Sequence, residues 1–304
     1  MRVRAVQAVK SSPWHESVAV SSRGDVAAGF LPRAARRARS LPLNAIIGLV
    51  LLAPLIIAAL LGPRLAPYPP DEFKVGARLQ APSRAHLCGT DAFGRDLFSR
   101  IVIGARIAAG MALGGVAISA LLGTALGLIA GYYGGWPDQV LSRVMEVWLA
   151  FPGLLMAIVV VARLGPSLTN AVIALGLMEV PALYRVVRGT TLSIRHELYV
   201  EAARAVGVPD RRLLLRHILP GLYSPIIVLC TLRMGIMLLA GGGLSFIGLG
   251  AQPPQPEWGL LLASGRRYMA QAWWLTFFPG IAIALSVLGF NLLGDGLRDM
   301  LDPR

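Results

Sequence analysis

The chain has 304 residues, 55% of them hydrophobic and 15% charged, with a positive mean hydropathy. That is too apolar for a water-soluble domain and long enough for several membrane crossings, so the composition points to an all-helical, polytopic membrane protein. The formal charge of +13 does not point to nucleic acid, because the basic residues flank apolar runs and form no stripe interleaved with aromatics; the implied partner is the lipid bilayer.

The first forty residues carry eight Lys or Arg against two acids and read as a basic cytoplasmic tail, assigned to residues 1–42, a solvated segment that fixes orientation in preference to one that rests Arg33, Arg36, Arg37 and Arg39 on anionic headgroups. No cleavable signal peptide is evident, since the first long apolar run follows this polar stretch. That run, residues 43–63, is free of charge and predicts the first transmembrane helix, N-terminus inside. Residues 64–106 then lie outside, where Thr90 or Asp91 caps a short interfacial helix and Asp96 and Arg100 are spaced to pair. Cys88 and Cys230, one between spans and one within a span, support neither a disulfide framework nor a metal site.

Residues 107–295 form the core transmembrane domain and hold the other five of the six spans. The second span covers Ile107 to Pro137, where Gly123, Gly127 and Gly131 repeat every four residues and allow another helix to approach closely. The third runs from Asp138 to about Leu164, with Arg143 and Glu146 three apart as a structural pair in preference to a proton relay. The fourth, about Leu168 to Val187, contains Glu179, an ionisable residue in a span and hence the first candidate for the solute pathway, together with Glu146 and Arg233. Arg185, Arg188, Arg195, Arg204, Arg211, Arg212 and Arg216 follow, and the positive-inside rule places this loop, residues 189–220, in the cytoplasm. The fifth span, about Leu222 to Ile247, ends near Gly241, Gly242 and Gly243, which suit either a bend or tight packing. Outside again, Pro253, Pro254 and Pro256 stiffen a turn, and Trp273 and Trp274 mark an interface. The sixth span runs from about Leu275 to Leu293, and residues 296–304 form a cytoplasmic C-terminal tail.

The loop His196 to Pro220 reads as helix, sharp turn, helix. Leu198, Ala202, Ala203, Ala205 and Val206 share one face; Gly207 sits where a left-handed helix stop is wanted; Pro209 and Asp210 suit the first turn of a second helix; and Leu213, Leu214, Ile218 and Leu219 give it an apolar stripe.

This loop resembles the EAA motif of the membrane subunits of bacterial ABC importers, with Glu201, Ala202, Ala203, Gly207, Leu219 and Pro220 in register and His217 where the general pattern has Ile. The stretch Leu87 to Ile107 resembles the GTDxxGRDxxSRxxxGxR signature of the C-type permease of the dipeptide, oligopeptide, glutathione and nickel group, matching at Gly89, Thr90, Asp91, Gly94, Arg95, Asp96, Ser99, Arg100, Gly104 and Arg106. The proline-rich turn at Gly248 to Gly259 is similar to the same subunits. The resemblance implies a type I importer permease fold of six transmembrane helices in the inner membrane, with both termini cytoplasmic. It implies as partners a second, homologous permease subunit, two ATPase subunits and an extracytoplasmic binding protein. Glu201, Ala202, Ala203, Gly207, Val208, Pro209, Asp210, Arg211, Leu219 and Pro220 would couple this chain to the ATPases. ATP and Mg would be held on those partners, with no cofactor on this chain, and peptides would be the solute, with glutathione or a nickel complex as alternatives.

No G-x-x-x-x-G-K-[ST] loop occurs, since the only lysines are Lys10 and Lys74. HExxH, GxSxG and a cysteine–histidine cluster are also missing, so the sequence offers no enzymatic constellation. The rival reading is a secondary transporter driven by an ion gradient, with Arg143, Glu146 and Glu179 as its relay.

Overall fold

The computed structural model describes residues 42–301, so the basic tail and the last three residues lie outside the described part. Ten α-helices account for most of it: α1 (Leu43–Leu65), α2 (Leu97–Tyr133), α3 (Gly135–Leu149), α4 (Gly153–Leu164), α5 (Leu168–Ile194), α6 (Leu198–Ala205), α7 (Asp210–Arg212), α8 (Leu219–Phe246), α9 (Trp258–Arg266) and α10 (Trp274–Leu301). A π-helical turn, Leu213–Ile218, joins α7 to α8 without interruption. Five of these helical runs are long and apolar enough to cross a membrane; α3 and α4 qualify only as a pair bent by 89°.

The glycines reveal why the helices pack as they do. A Cβ at Gly123, Gly127 or Gly131 of α2 would run into Leu183, Val187 and Thr191 of α5 respectively, so the four-residue glycine ladder is matched by a four-residue ladder on its neighbour. In lipid, where tails and side chains are equally apolar, such close backbone approach supplies the attraction. Residue numbers rise together along this seam, from Gly114 against Val172 to Gly131 against Thr191, so α2 and α5 run parallel. The chain between them must therefore return across the membrane, and α3 with α4 makes one broken crossing, the third of six. The sequence predicts a third span from Asp138 to about Leu164; Phe151 and Pro152 break it, because a proline has no amide hydrogen to continue the ladder.

The other seams are antiparallel. Gly48 and Gly296 let α1 and α10 meet, with Ala45 beside Gly296, and Gly115 and Gly241 receive Met237 and Met111 between α2 and α8. The start of α1, the end of α10 and the α6–α7 loop thus lie at one end of the bundle; Ser224 near the start of α8 donates to the Leu301 carbonyl at 3.3 Å. Gly241 and Gly242 serve packing, since a Cβ on Gly241 would meet Met111 and one on Gly259 would strike the backbone of Gly242, and α8 is continuous to Phe246.

At the opposite end, residues 66–96 contain turns and a single bridge between Thr90 and Asp96. The sequence predicts a separate interfacial helix here, capped by Thr90 or Asp91. Instead the helix begins at Leu97 as the first turn of α2, because Asp96 takes the cap by accepting from the Ser99 N–H at 2.8 Å. The expected Asp96–Arg100 pair does not form either. Asp96 accepts from His86 Nδ1 at 2.9 Å, and Arg100 reaches Pro70 O at 2.6 Å and Pro254 O at 3.2 Å, tying this segment to the proline-rich turn. Once its carboxylate caps the helix, Asp96 points back across the turn and away from the next one. Trp274 is buried and donates to Thr90 O at 3.3 Å, so of the two expected interface tryptophans only Trp273 is exposed. Glu257 caps α9 through the Gly259 and Leu260 N–H groups, at 2.9 Å each, and its burial raises its carboxyl pKa above the usual carboxylate range.

Cys88 lies in this lobe, buried, and burial together with the Asp96 charge pushes its thiol up to about 11. The raised value keeps the group protonated, and hence weakly nucleophilic, until the pH approaches 11. In a Cys230→Ser background, N-ethylmaleimide at pH 7.5 should label Cys88 at least a hundredfold more slowly in the folded protein than after denaturation. Equal rates by mass spectrometry would contradict the burial.

Candidate coupling loop and pathway cavity

The loop is built on α6, which carries Glu201, Ala202 and Ala203. Val200 is fully buried against Leu213, Ile218 and Leu222, while Glu201 and Ala202 face outward and Ala203 is half-buried. After α6 the chain stops on Gly207 at φ +80°, with Val208 N–H bonded to Ala203 O at 3.1 Å and Gly207 N–H to Arg204 O at 3.0 Å. This paired closure is the left-handed stop expected of glycine. Pro209 then occupies the cap position, and Asp210 opens α7 near its positive end.

Two details differ from expectation. The residue that anchors α6 is Val200, whereas Leu198 and Val206 are 83% and 80% exposed; an eight-residue helix lying on the bundle turns only one narrow stripe inward. The second helix also does not end at Leu219 and Pro220, because the π-turn carries the chain on through Pro220 into α8. Arg211 and Pro220 are exposed, Leu219 and Val208 half-buried.

The loop is bound to the rest of the bundle by polar contacts. Tyr132, at the end of α2, donates its hydroxyl to Asp210 Oδ1 at 2.6 Å, and the Arg204 guanidinium lies 5.5 Å from the Tyr132 ring centre. Arg195 donates to Gly131 O at 3.0 Å and Tyr132 O at 3.3 Å, closing the carbonyl end of α2. Arg188 of α5 grips Asp138 of α3 with two hydrogen bonds, Nη2 to Oδ2 at 2.7 Å. Tyr132 carries no signal in the sequence, since an aromatic at a span end reads as an interface marker. Tyr132→Phe removes a hydrogen bond to a carboxylate, worth about 1.5 kcal/mol. Limited proteolysis should cut the Gly207 turn severalfold faster in that variant, and an unchanged rate would dismiss the contact.

Deeper in the bundle, Glu179 of α5 and Arg233 of α8 meet, Oε2 to Nη1 at 2.9 Å, on the wall of a cavity of about 730 Å³. Trp148, Phe151 and Arg185 also line it. Glu146 does not: it pairs with Arg143 at 2.9 Å on an outward face of α3, both side chains more than half exposed. In this chain Glu146 thus lies apart from Glu179 and Arg233, with which the sequence groups it, and Arg143, Glu146 and Glu179 are not brought together. The 89° break before α4 points the two ends of that span in different directions, which periodicity along a straight helix cannot foresee.

A helical bundle of six crossings, one of them broken, with a charged loop at one end defines a polytopic membrane protein. Comparison with known proteins specifies it. Residues 123–304 match the family described as binding-protein-dependent transport system inner membrane component, and residues 34–82 match the N-terminal TM domain of oligopeptide transport permease C. The chain is 47% identical over 260 residues to the dipeptide transport system permease protein of Alkalihalophilus pseudofirmus, covering 86% of each. It is 47% identical over 251 residues to the glutathione transport system permease protein of Pectobacterium atrosepticum, covering 82% of this chain and 83% of that one. Among solved structures, the inward-facing MetNI methionine ABC transporter shares the fold, with a TM-score of 0.54 and 15% identity over 68% of this chain and 98% of that one. The chain belongs to the binding-protein-dependent inner membrane component family and is a non-catalytic, multi-pass permease subunit of an ABC importer.

Proposed function

We propose that this subunit imports peptides, di- and oligopeptides, and is driven through the loop around Gly207 by two separate ATPase subunits that hold ATP and Mg. The observation that carries the coupling role is a rigid loop with outward apolar residues. Leu198, Tyr199, Val206 and Leu215 are exposed around a turn whose backbone is closed, and the π-turn makes the loop continuous with α8. Apolar residues displayed on a stiff element suit a groove on another protein. Glu201, Ala202, Ala203, Gly207, Val208, Pro209, Asp210, Arg211, Leu219 and Pro220 would form the gripped lever. Its basic flank supports a cytoplasmic side for this end and for both termini, which would leave the Thr90–Asp96 lobe with α9 outside, where a binding protein would deliver solute. A second, homologous permease would complete the pathway, with Glu179 and Arg233 facing it.

Glutathione is the second reading, favoured by the relative named for its transport. The test is purification of the complex, mass spectrometry of the binding protein and its ligand, and uptake into proteoliposomes. ATP-dependent uptake of a dipeptide is expected. Uptake by this polypeptide alone without nucleotide, or labelling of Arg211→Cys from the outer surface, would overturn the scheme.

A further inference from the structure

The cavity beside α5 and α8 holds three charged side chains: Glu179, Arg233 and Arg185. The Glu179–Arg233 contact is a single one, and among the described residues neither side chain makes another polar contact, nor does Arg185. Glu179 is almost wholly buried, 9% exposed at the side chain, and Arg233 is 27% exposed, so the pair fronts the cavity and not bulk water. The buried indole N–H of Trp148, whose side chain also lines this space, has no hydrogen-bond partner. The remaining walls, Phe151, Leu154 and Ile236 among them, are apolar and make no demand on a particular side chain.

We propose that this is a solute subsite in which the Glu179–Arg233 pair is split by a peptide bearing a free ammonium and a free carboxylate. The ammonium takes Glu179, the carboxylate takes Arg233, and Arg185 stands ready for a second carboxylate. The inference rests on the importer reading above and narrows its solute to zwitterionic or acidic peptides with free termini.

Three considerations carry it. An unpaired charge is costly in a membrane interior, so each residue needs a partner in the empty state, and the two supply one another. A solute can separate them only by replacing both partners, which an uncharged or singly charged molecule does not do. Two extended residues span at most about 7 Å, so admitting even a dipeptide between the groups requires α5 and α8 to move apart. Those are the two helices that the coupling loop joins. Glu179 lies about four helical turns before the end of α5, and Arg233 about four turns after the start of α8, so a displacement of the loop changes their separation directly. When the cavity empties, Glu179 and Arg233 close on one another again.

The experiment uses the assembled complex, this chain with its partner membrane subunit and ATPases, in lipid nanodiscs. Binding of radiolabelled dialanine is measured by scintillation proximity, with unlabelled dialanine, glutathione and N-acetyl-dialanine amide as competitors. Dialanine and glutathione should compete saturably, glutathione more tightly, and the doubly capped peptide at least tenfold more weakly. Glu179→Gln and Arg233→Gln should each weaken dialanine binding tenfold or more, and Arg233→Lys, which keeps the charge, should stay within about threefold of the native complex. Competition by the capped peptide equal to dialanine, affinities unmoved by both Gln variants, or no saturable binding of either free peptide would overturn the subsite. The capped-peptide comparison uses only the native complex, so it stands even if a variant fails to assemble. ATP-dependent uptake, measured in parallel in proteoliposomes with the binding protein added, separates the two readings: its loss for every peptide sinks the peptide importer, whereas normal uptake with insensitive binding sinks the subsite alone.

Discussion

Gly207→Val should leave the chain in the membrane and strip it of its ATPase subunits. Gly207 holds φ +80°, and a Cβ there would meet nothing within 4 Å, so the cost is purely one of backbone conformation. For a residue with a Cβ the left-handed region costs about 1–2 kcal/mol, and more when the side chain is β-branched. The turn would relax by rotating out of that region, which breaks the Val208–Ala203 and Gly207–Arg204 closures and swings α6 relative to α7. The expected result is normal yield and melting temperature within a few degrees, with co-purified ATPase and ATP-driven uptake reduced at least tenfold. Gly207→Asn is the informative companion, because asparagine tolerates the left-handed region and should restore most of both. ATPase bound at native levels in the Val variant would mean that the loop geometry is not what the motor grips.

Gly127→Val should instead destroy the fold. Here φ is helical and the obstacle is another helix: the new Cβ would lie 2.8 Å from Val187 Cβ and 2.9 Å from the Tyr184 carbonyl oxygen. Neither can step aside, since one is backbone and the other sits at the root of a β-branched side chain, so α2 and α5 must separate. Overpacking in a tight interior costs about 1–3 kcal/mol, and in lipid no hydrophobic effect between helices compensates for lost contact. We expect aggregation on extraction, or a melting temperature lower by 10 °C or more, in detergent size-exclusion assays. Gly110→Val is the control: on the same helix, exposed and with nothing within 4 Å of its Cβ, it should melt like the native chain. Similar melting of both variants would show that the ladder at Gly123, Gly127 and Gly131 does not hold the bundle together.

Much of the fold was legible because its signals are local. The apolar runs that became α1, α2, α5, α8 and α10 each meet the length requirement within one stretch of chain, and the glycine ladder follows from the helical repeat alone. The stop at Gly207 and the start at Asp210 were equally readable, as both depend on residues within one turn. The errors came where a local signal had competitors. Thr90, Asp91 and Asp96 are all good helix caps, and what selected Asp96 was its simultaneous contact with His86, ten residues back. Leu198 and Val206 look like core residues by type, yet Val200 took the single inward stripe that α6 offers.

By itself the sequence determined that the chain crosses a membrane several times, where most crossings lie, and that a stiff basic turn interrupts them. These depend on composition and on contacts within a few residues. Only the tertiary structure decided that α2 and α5 run parallel, which makes α3 and α4 a crossing; that Tyr132 holds Asp210; and that Glu179 faces Arg233 while Glu146 does not. The physical reason is that lipid and protein interior are nearly equally apolar, so hydropathy locates a helix along the membrane normal but says nothing of its rotation about its own axis. That rotation is chosen by small residues meeting across seams distant in sequence, and it determines which charges share a cavity.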